Sequence, residues 1–313
     1  MYVPAGVIPA VLLPFHEDLS IDEASYRAHL RDVKSVDGIS AITVNAHASE
    51  VASCSFDEQR RILEISKEEL KGLPIINGVY ADGSLEAARI ARMAEQGGAS
   101  ALLVFPPAIY TFGQRPEMAL AHFKRIADAT ALPLILFQYP LAGGQGYPTP
   151  TLLEIIEKVP SVKAIKDWSA NPQLHERQIR LLQSRPRPVN VLTTHSSWLL
   201  SSLVLGCNGL LSGSGSVIAD LQARLFRAVK ENDLQKAKEL QERIRPTAEV
   251  FYSEPWVDMH NRMKEALVLL GKLPRAVVRP PLAKLGSEEI GRIRAALVAA
   301  GLLGEKTTQR RVA

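Results

Sequence analysis

LPIINGV (residues 73–79), SLEAARIARMAEQGG (84–98) and SALLVFP (100–106) follow one another almost without a gap. The first and third are continuous apolar runs, the composition of a strand covered on both faces. The segment between them repeats apolar residues at helical spacing and stops at Gly97 and Gly98. A buried strand, a helix and a second buried strand make one parallel strand–helix unit.

The unit recurs along the chain. Comparable apolar runs are GVIPAVLLP (6–14), GISAITVN (38–45), LPLILFQ (132–138), VKAIK (162–166), VNVLTT (189–194) and NGLLSG (208–213), at intervals of mostly 26 to 35 residues. Eight such units predict a parallel sheet covered by helices and closed as a (β/α)8 barrel, the TIM-barrel architecture. A doubly wound sheet is the alternative, but no GxGxxG follows the first strand, where that fold would carry it. Three more helical segments follow, near 232–250, 256–271 and 287–302. The expected organisation is a catalytic barrel over residues 1–231, a C-terminal three-helix extension over 232–303, and a polar, disordered tail over 304–313.

Composition narrows the function. The 313 residues carry 37 Lys and Arg against 33 Asp and Glu, with no dense basic run before the tail. Nucleic acid and anionic membranes are therefore not expected partners. Cys54 and Cys207 lack metal spacing and form no disulfide framework, which points to a reducing, cytoplasmic compartment. The opening MYVPAGVIPAVLLPF has three prolines and no basic n-region, so it reads as a first strand rather than a signal peptide. No run approaches the ~18 apolar residues of a membrane span.

The chemistry is concentrated in VKAIKDW (162–168), where two lysines three apart interrupt an apolar run. Alternation puts Val162, Ala164 and Lys166 on one strand face and Lys163 and Ile165 on the other. Lys163 lies at the start of the strand, where its stem can carry the charge to water. Lys166 lies at the C-terminal end, the catalytic face of such a barrel, with small Ala164 beneath it. Desolvation there would lower its pKa and make it a nucleophilic amine able to form a Schiff base. A lysine paired with a barrel carboxylate is the other reading, and position alone leaves both open.

Several motifs together resemble the dihydrodipicolinate synthase / N-acetylneuraminate lyase family of class I, Schiff-base-forming barrels. GVIPAVLLPF is similar to that family's first strand, and IKD (165–167) to the segment holding its Schiff-base lysine. GCNGLLSGSGS (206–216) resembles its eighth-strand signature, and MKEALVLLG (263–271) with VRPPLAKL (278–285) its C-terminal helices. The likeness runs over nearly the whole chain. It implies Lys166 as the imine-forming residue, a 2-oxo acid such as pyruvate as substrate, no cofactor, and a dimer or tetramer.

The chain also departs from the family pattern. AHASE (46–50) matches the family's Gly-Thr-Thr-Gly-Glu carboxylate loop, keeping Glu50 but placing His47 and Ala48 where the threonines stand. Ala48 and Ser49 remain candidates to hold a carboxylate through backbone N–H groups. FQYP (137–140) matches the motif of the catalytic tyrosine, so Phe137 occupies that position and can move no proton. Ala142 stands where the synthases carry an arginine for their second substrate, which argues against the lysine-pathway reaction. Tyr139, two residues beyond Phe137, and His47 are candidate replacements for the proton carrier. Tyr110, in FPPAIY (105–110), is the match to the relay tyrosine, and His195 shares the rim. Ser212 and Gly213 are expected to contact substrate, and SGSGS (212–216) could instead cradle a phosphate. No HxH or carboxylate cluster suggests a metal, and Trp168, Trp198 and Trp256 read as packing.

The expected activity is that of a lyase or aldolase working through an imine at Lys166 with a second substrate other than the synthases'. Two alternatives stay open: a keto-sugar-acid dehydratase using the same lysine, and a degenerate barrel that binds a keto acid without turnover.

Overall fold

The computed structural model describes residues 2–304. The tail expected to be disordered lies outside the described residues from 305 onward. Eight parallel strands form the centre: β1 (Gly6–Pro9), β2 (Ile42–Val44), β3 (Ile75–Val79), β4 (Ala101–Val104), β5 (Leu134–Gln138), β6 (Val162–Asp167), β7 (Asn190–Thr193) and β8 (Gly209–Ser212). They pair in sequence order from β2 to β8, and β8 pairs β1. Single bridges Val7–Ile39 and Ala10–Thr43 then bring β1 against the β2 side, nearly closing the barrel. At the β1–β8 seam the backbones touch so closely that a Cβ on Gly209 would lie 2.1 Å from the Gly6 carbonyl oxygen. Only glycine fits there.

Helices α1 (Glu23–Lys34), α2 (Phe56–Glu69), α3 (Ser84–Gln96), α4 (Pro116–Ala127), α5 (Thr149–Lys158), α6 (Pro172–Gln183), α7 (Leu199–Val204) and α8 (Gly215–Lys230) follow the strands. Local chemistry starts them where the sequence changes character. Ser55 and Glu58 form a reciprocal capping box on α2, and the Asn171 side chain accepts from the Leu174 N–H ahead of Pro172 on α6. Apart from β6, the strands are shorter than the apolar runs that announce them. After Pro9 the chain leaves the β8 ladder, and residues 11–13 stay fully buried without continuing it.

The extension contains α9 (Leu234–Phe251), α10 (Met259–Leu269) and α11 (Ser287–Ala299). Helix α9 packs on α8, and α11 packs on α9 and α10. No helix among the described residues is long and apolar enough to cross a membrane.

Candidate active site

A cavity of about 650 Å³ opens at the C-terminal ends of the strands. Its wall combines strand ends and loops of the barrel with residues of the extension, including His260 of α10 and the Arg279–Pro280–Pro281–Leu282 segment. Lys166 lines this cavity. It is 6% exposed and pairs in register with Phe137 on β5 and Leu192 on β7. Its Nζ lies 4.1 Å from the centre of the Phe137 ring. No carboxylate among the described residues forms an ion pair with it, and burial alone pulls its pKa down to about 7.

A second buried lysine shows the opposite arrangement. Lys264 of α10 is ion-paired with Glu50 and donates to the Val277 carbonyl at 2.7 Å. Glu50 holds left-handed backbone angles (φ 51°, ψ 40°) at the turn after β2, and its other oxygen accepts from the Arg279 N–H at 2.9 Å. Burial lowers the Lys264 pKa, with Glu50 opposing it. Lys264 is thus a compensated charge joining the extension to the 46–50 loop, whereas Lys166 is an uncompensated amine facing a cavity.

His47 and Tyr139 meet across the barrel mouth, Nε2 to the phenol oxygen, in a hydrogen bond. The His47 ring also packs edge-on against Phe105 at 4.7 Å between ring centres. Burial, then the charge of Lys166, lowers its pKa to about 3, so the imidazole is neutral. Burial raises the Tyr139 phenol well above its ordinary value. Phe137 and Tyr139 pack edge to face, 4.6 Å apart between ring centres. His260 joins the same group. Its open surface faces the cavity, and burial, then the charges of His47, Lys166 and Lys264, hold its pKa well below the usual value. A Cβ on Gly213, the residue after β8, would lie 2.9 Å from His260 Nε2, so the two elements approach closely there.

The other expected site residues separate into two sets. Ala48, Gly213 and His195 line the cavity. In the 46–50 loop the N–H groups of Ser49, Glu50 and Val51 bond internally, while those of His47 and Ala48 take no part in these bonds. Ser49 itself turns inward and donates to the Val11 carbonyl. Ser212 is also turned in, its hydroxyl bonded to Ser214 at 2.8 Å, and Ser214 is bonded in turn to Ser196 and Gln222. The hydroxyls of Ser212 and Ser214 are thereby occupied within the fold. Tyr110 is buried and is not part of the cavity wall.

The tryptophans, expected to pack, also line the cavity: Trp168 packs against the core as well, and Trp198 and Trp256 join it in the wall. His260 and Lys264 were also absent from the site expected from sequence. Their four-residue spacing on α10, which puts both on one helix face, was the available signal. On β6 the residue after the lysine has a structural part: Asp167 accepts from Ser169 N–H and bonds His175 Nδ1 at 2.6 Å. Burial works to raise its pKa, but these bonds and the neighbouring histidine charges outweigh it.

The sequence model of the dihydrodipicolinate synthetase family matches residues 3–300. The chain belongs to that family. Among curated relatives, the 4-hydroxy-tetrahydrodipicolinate synthase of Maridesulfovibrio salexigens is 29% identical, with 95% of this chain and 99% of that one covered. The synthase of the same name from Methanopyrus kandleri is 27% identical over 96% and 97% of the two chains. The dihydrodipicolinate synthase structure from Thermotoga maritima superposes with a TM-score of 0.88 at 23% identity, covering 96% of this chain and all of that one. A prophage protein of this family from E. coli K12, solved in complex with pyruvate, gives 0.87 at 22%, covering 95% and 99%. These structural likenesses establish the barrel. Members of the dihydrodipicolinate synthetase family are lyases that act through a Schiff base, and this chain is an aldolase/lyase of that family.

Proposed function

We propose that the chain is a lyase that forms an imine between Lys166 and pyruvate or a related 2-oxo acid, and makes or breaks a bond of that acid with a partner other than aspartate semialdehyde. The observation that carries this reading is the uncompensated amine. A buried lysine without a carboxylate is costly to keep charged, and its pKa of about 7 leaves much of it neutral at physiological pH. A neutral amine attacks a ketone carbonyl; the imine that forms, once protonated, withdraws electrons from the adjacent carbon and so supports loss of a proton there. The loop at residues 46–50 is the proposed carboxylate cradle.

His47 and Tyr139 are the proposed proton carriers. With the imidazole neutral, the hydrogen bond between them has two forms. Either Tyr139 donates to Nε2, or Nε2–H donates to the phenol and frees its proton for the ligand. Such a pair can take a proton and give one back. Ala142, in the exposed turn Leu141–Gly143, offers no charge for a second carboxylate, which is why aspartate semialdehyde is not the proposed partner.

Reductive trapping tests the reading. Incubation with pyruvate and borohydride should add the corresponding mass at Lys166, and Lys166→Ala should abolish the label. A label on Lys163 or Lys264, or one that survives in Lys166→Ala, would overturn it.

A further inference from the structure

The cavity has an aromatic wall that the chemistry at Lys166 does not require. Beginning at the amine, Phe137 lies against Nζ, Trp168 lies 6.4 Å from Phe137 between ring centres, and Trp256 lies 5.8 Å from Trp168. Exposure rises along this series, from 2% at Phe137 to 44% at Trp256. The rings therefore run from the reactive nitrogen to solvent. In the loop after β7, Trp198 also faces the cavity, stacked on His195 at 4.1 Å between ring centres.

Among the described residues, no uncommitted guanidinium lines the wall where the rings are. Arg279 is the one arginine in the wall among the described residues, and its guanidinium is already committed. It donates to the carbonyls of Leu19 and Ser53 and to both oxygens of Glu58. The remaining cation of the extension near the cavity, Lys264, is held by Glu50. An anionic second substrate would find rings here instead of a free guanidinium.

We propose that the second substrate is an uncharged aromatic aldehyde, whose ring lies along Phe137, Trp168 and Trp256 while its carbonyl faces the enamine carbon. Aromatic side chains at these separations favour tilted and edge-to-face contacts with a further ring, and an apolar ring gains from leaving water. This inference rests on the imine at Lys166 proposed above. In the condensation, the His47–Tyr139 pair takes a proton from the methyl carbon of the pyruvate imine. The resulting enamine carbon bonds to the aldehyde carbon, and the aldehyde π electrons pass to oxygen. That oxygen receives the proton the pair holds. Water then cleaves the imine, regenerating the amine and releasing a 4-aryl-4-hydroxy-2-oxobutanoate. Cleavage is the same sequence in reverse.

The test gives the purified chain pyruvate with benzaldehyde, hexanal or aspartate semialdehyde, and runs pyruvate–borohydride trapping in parallel. Benzaldehyde should be used with a kcat/KM at least about tenfold above either competitor, the order expected of a pocket discriminating by shape and apolar contact. Trp256→Ala, a change at an exposed position, should cut the benzaldehyde-to-hexanal preference by about fivefold. Trapping at Lys166 with aspartate semialdehyde preferred, or with hexanal used equally, would overturn the aromatic assignment while the imine reading stands. An equal loss for both apolar aldehydes in Trp256→Ala would also overturn it. No trapping at all would remove the imine reading, and this inference with it.

Discussion

In the proposed mechanism the proton carrier stands at Tyr139 and His47, because Phe137 offers no hydroxyl. A phenyl ring at 137 borders the amine and can pass no proton, yet the phenol two residues on reaches His47 across the barrel mouth. Both partners are buried enough to be neutral, so their bond is between uncharged groups that differ only in which atom holds the proton. General acid–base catalysis contributes typically about 10²–10⁴ in rate. Tyr139→Phe should lower kcat on any active substrate at least about tenfold while pyruvate is still trapped at Lys166. Unchanged turnover in Tyr139→Phe, with loss only in His47→Ala, would place the carrier at His47 alone. The sequence made Tyr139 and His47 separate candidates, because nothing in FQYP or AHASE states that the two segments face each other. Their pairing is a property of the closed barrel.

At the scale of elements, the site depends on a helix that lies outside the barrel. Helix α10 brings His260 to the wall and Lys264 to Glu50, and the segment after it brings Arg279 to the same glutamate. Strand ends and alternation made the position of Lys166 at the end of β6 legible in the sequence. Its role as the imine-forming residue, and the candidacy of Gly213 after β8, came from the resemblance to the family. The contribution of the extension was not legible, since no local pattern tells which helix face returns to the barrel mouth. The same gap explains the tryptophans, which read as packing until Trp256 and Trp168 are seen side by side. The Glu50–Lys264 pair gives a stability prediction. Lys264→Met alone leaves a buried carboxylate unpaired and should destabilise the fold by roughly 3–5 kcal/mol. Adding Glu50→Gln should recover part of that loss, as read in denaturant midpoints. Additive losses in the double variant would mean that the two side chains act independently.

For the whole molecule, eight strand–helix units place one uncompensated amine in a cavity, and the fold bears the cost of keeping it there. The Lys166 pKa falls from 10.5 to about 7 on folding, so between those values the unfolded chain binds more protons than the folded one. Stability from this residue therefore rises with pH across the window from about 7 to 10.5, and the penalty is greatest at pH 7 and below. Lys166→Met should be inactive and more stable than the parent near pH 6, by on the order of 4 kcal/mol. The difference should shrink toward pH 10, and equal stability at both pH values would show that the amine is solvated.

Both the chemistry and this stability cost depend on the same depressed pKa, and the pH dependence of trapping measures it directly. Initial rates of cyanoborohydride trapping with subsaturating pyruvate, followed by peptide mass mapping, give the pH at which the amine becomes reactive. The amine at Lys166 should gain reactivity through a midpoint near 7, with all of the label on that residue. A midpoint near 10.5, the ordinary value for lysine, or a label distributed over other lysines would contradict the account.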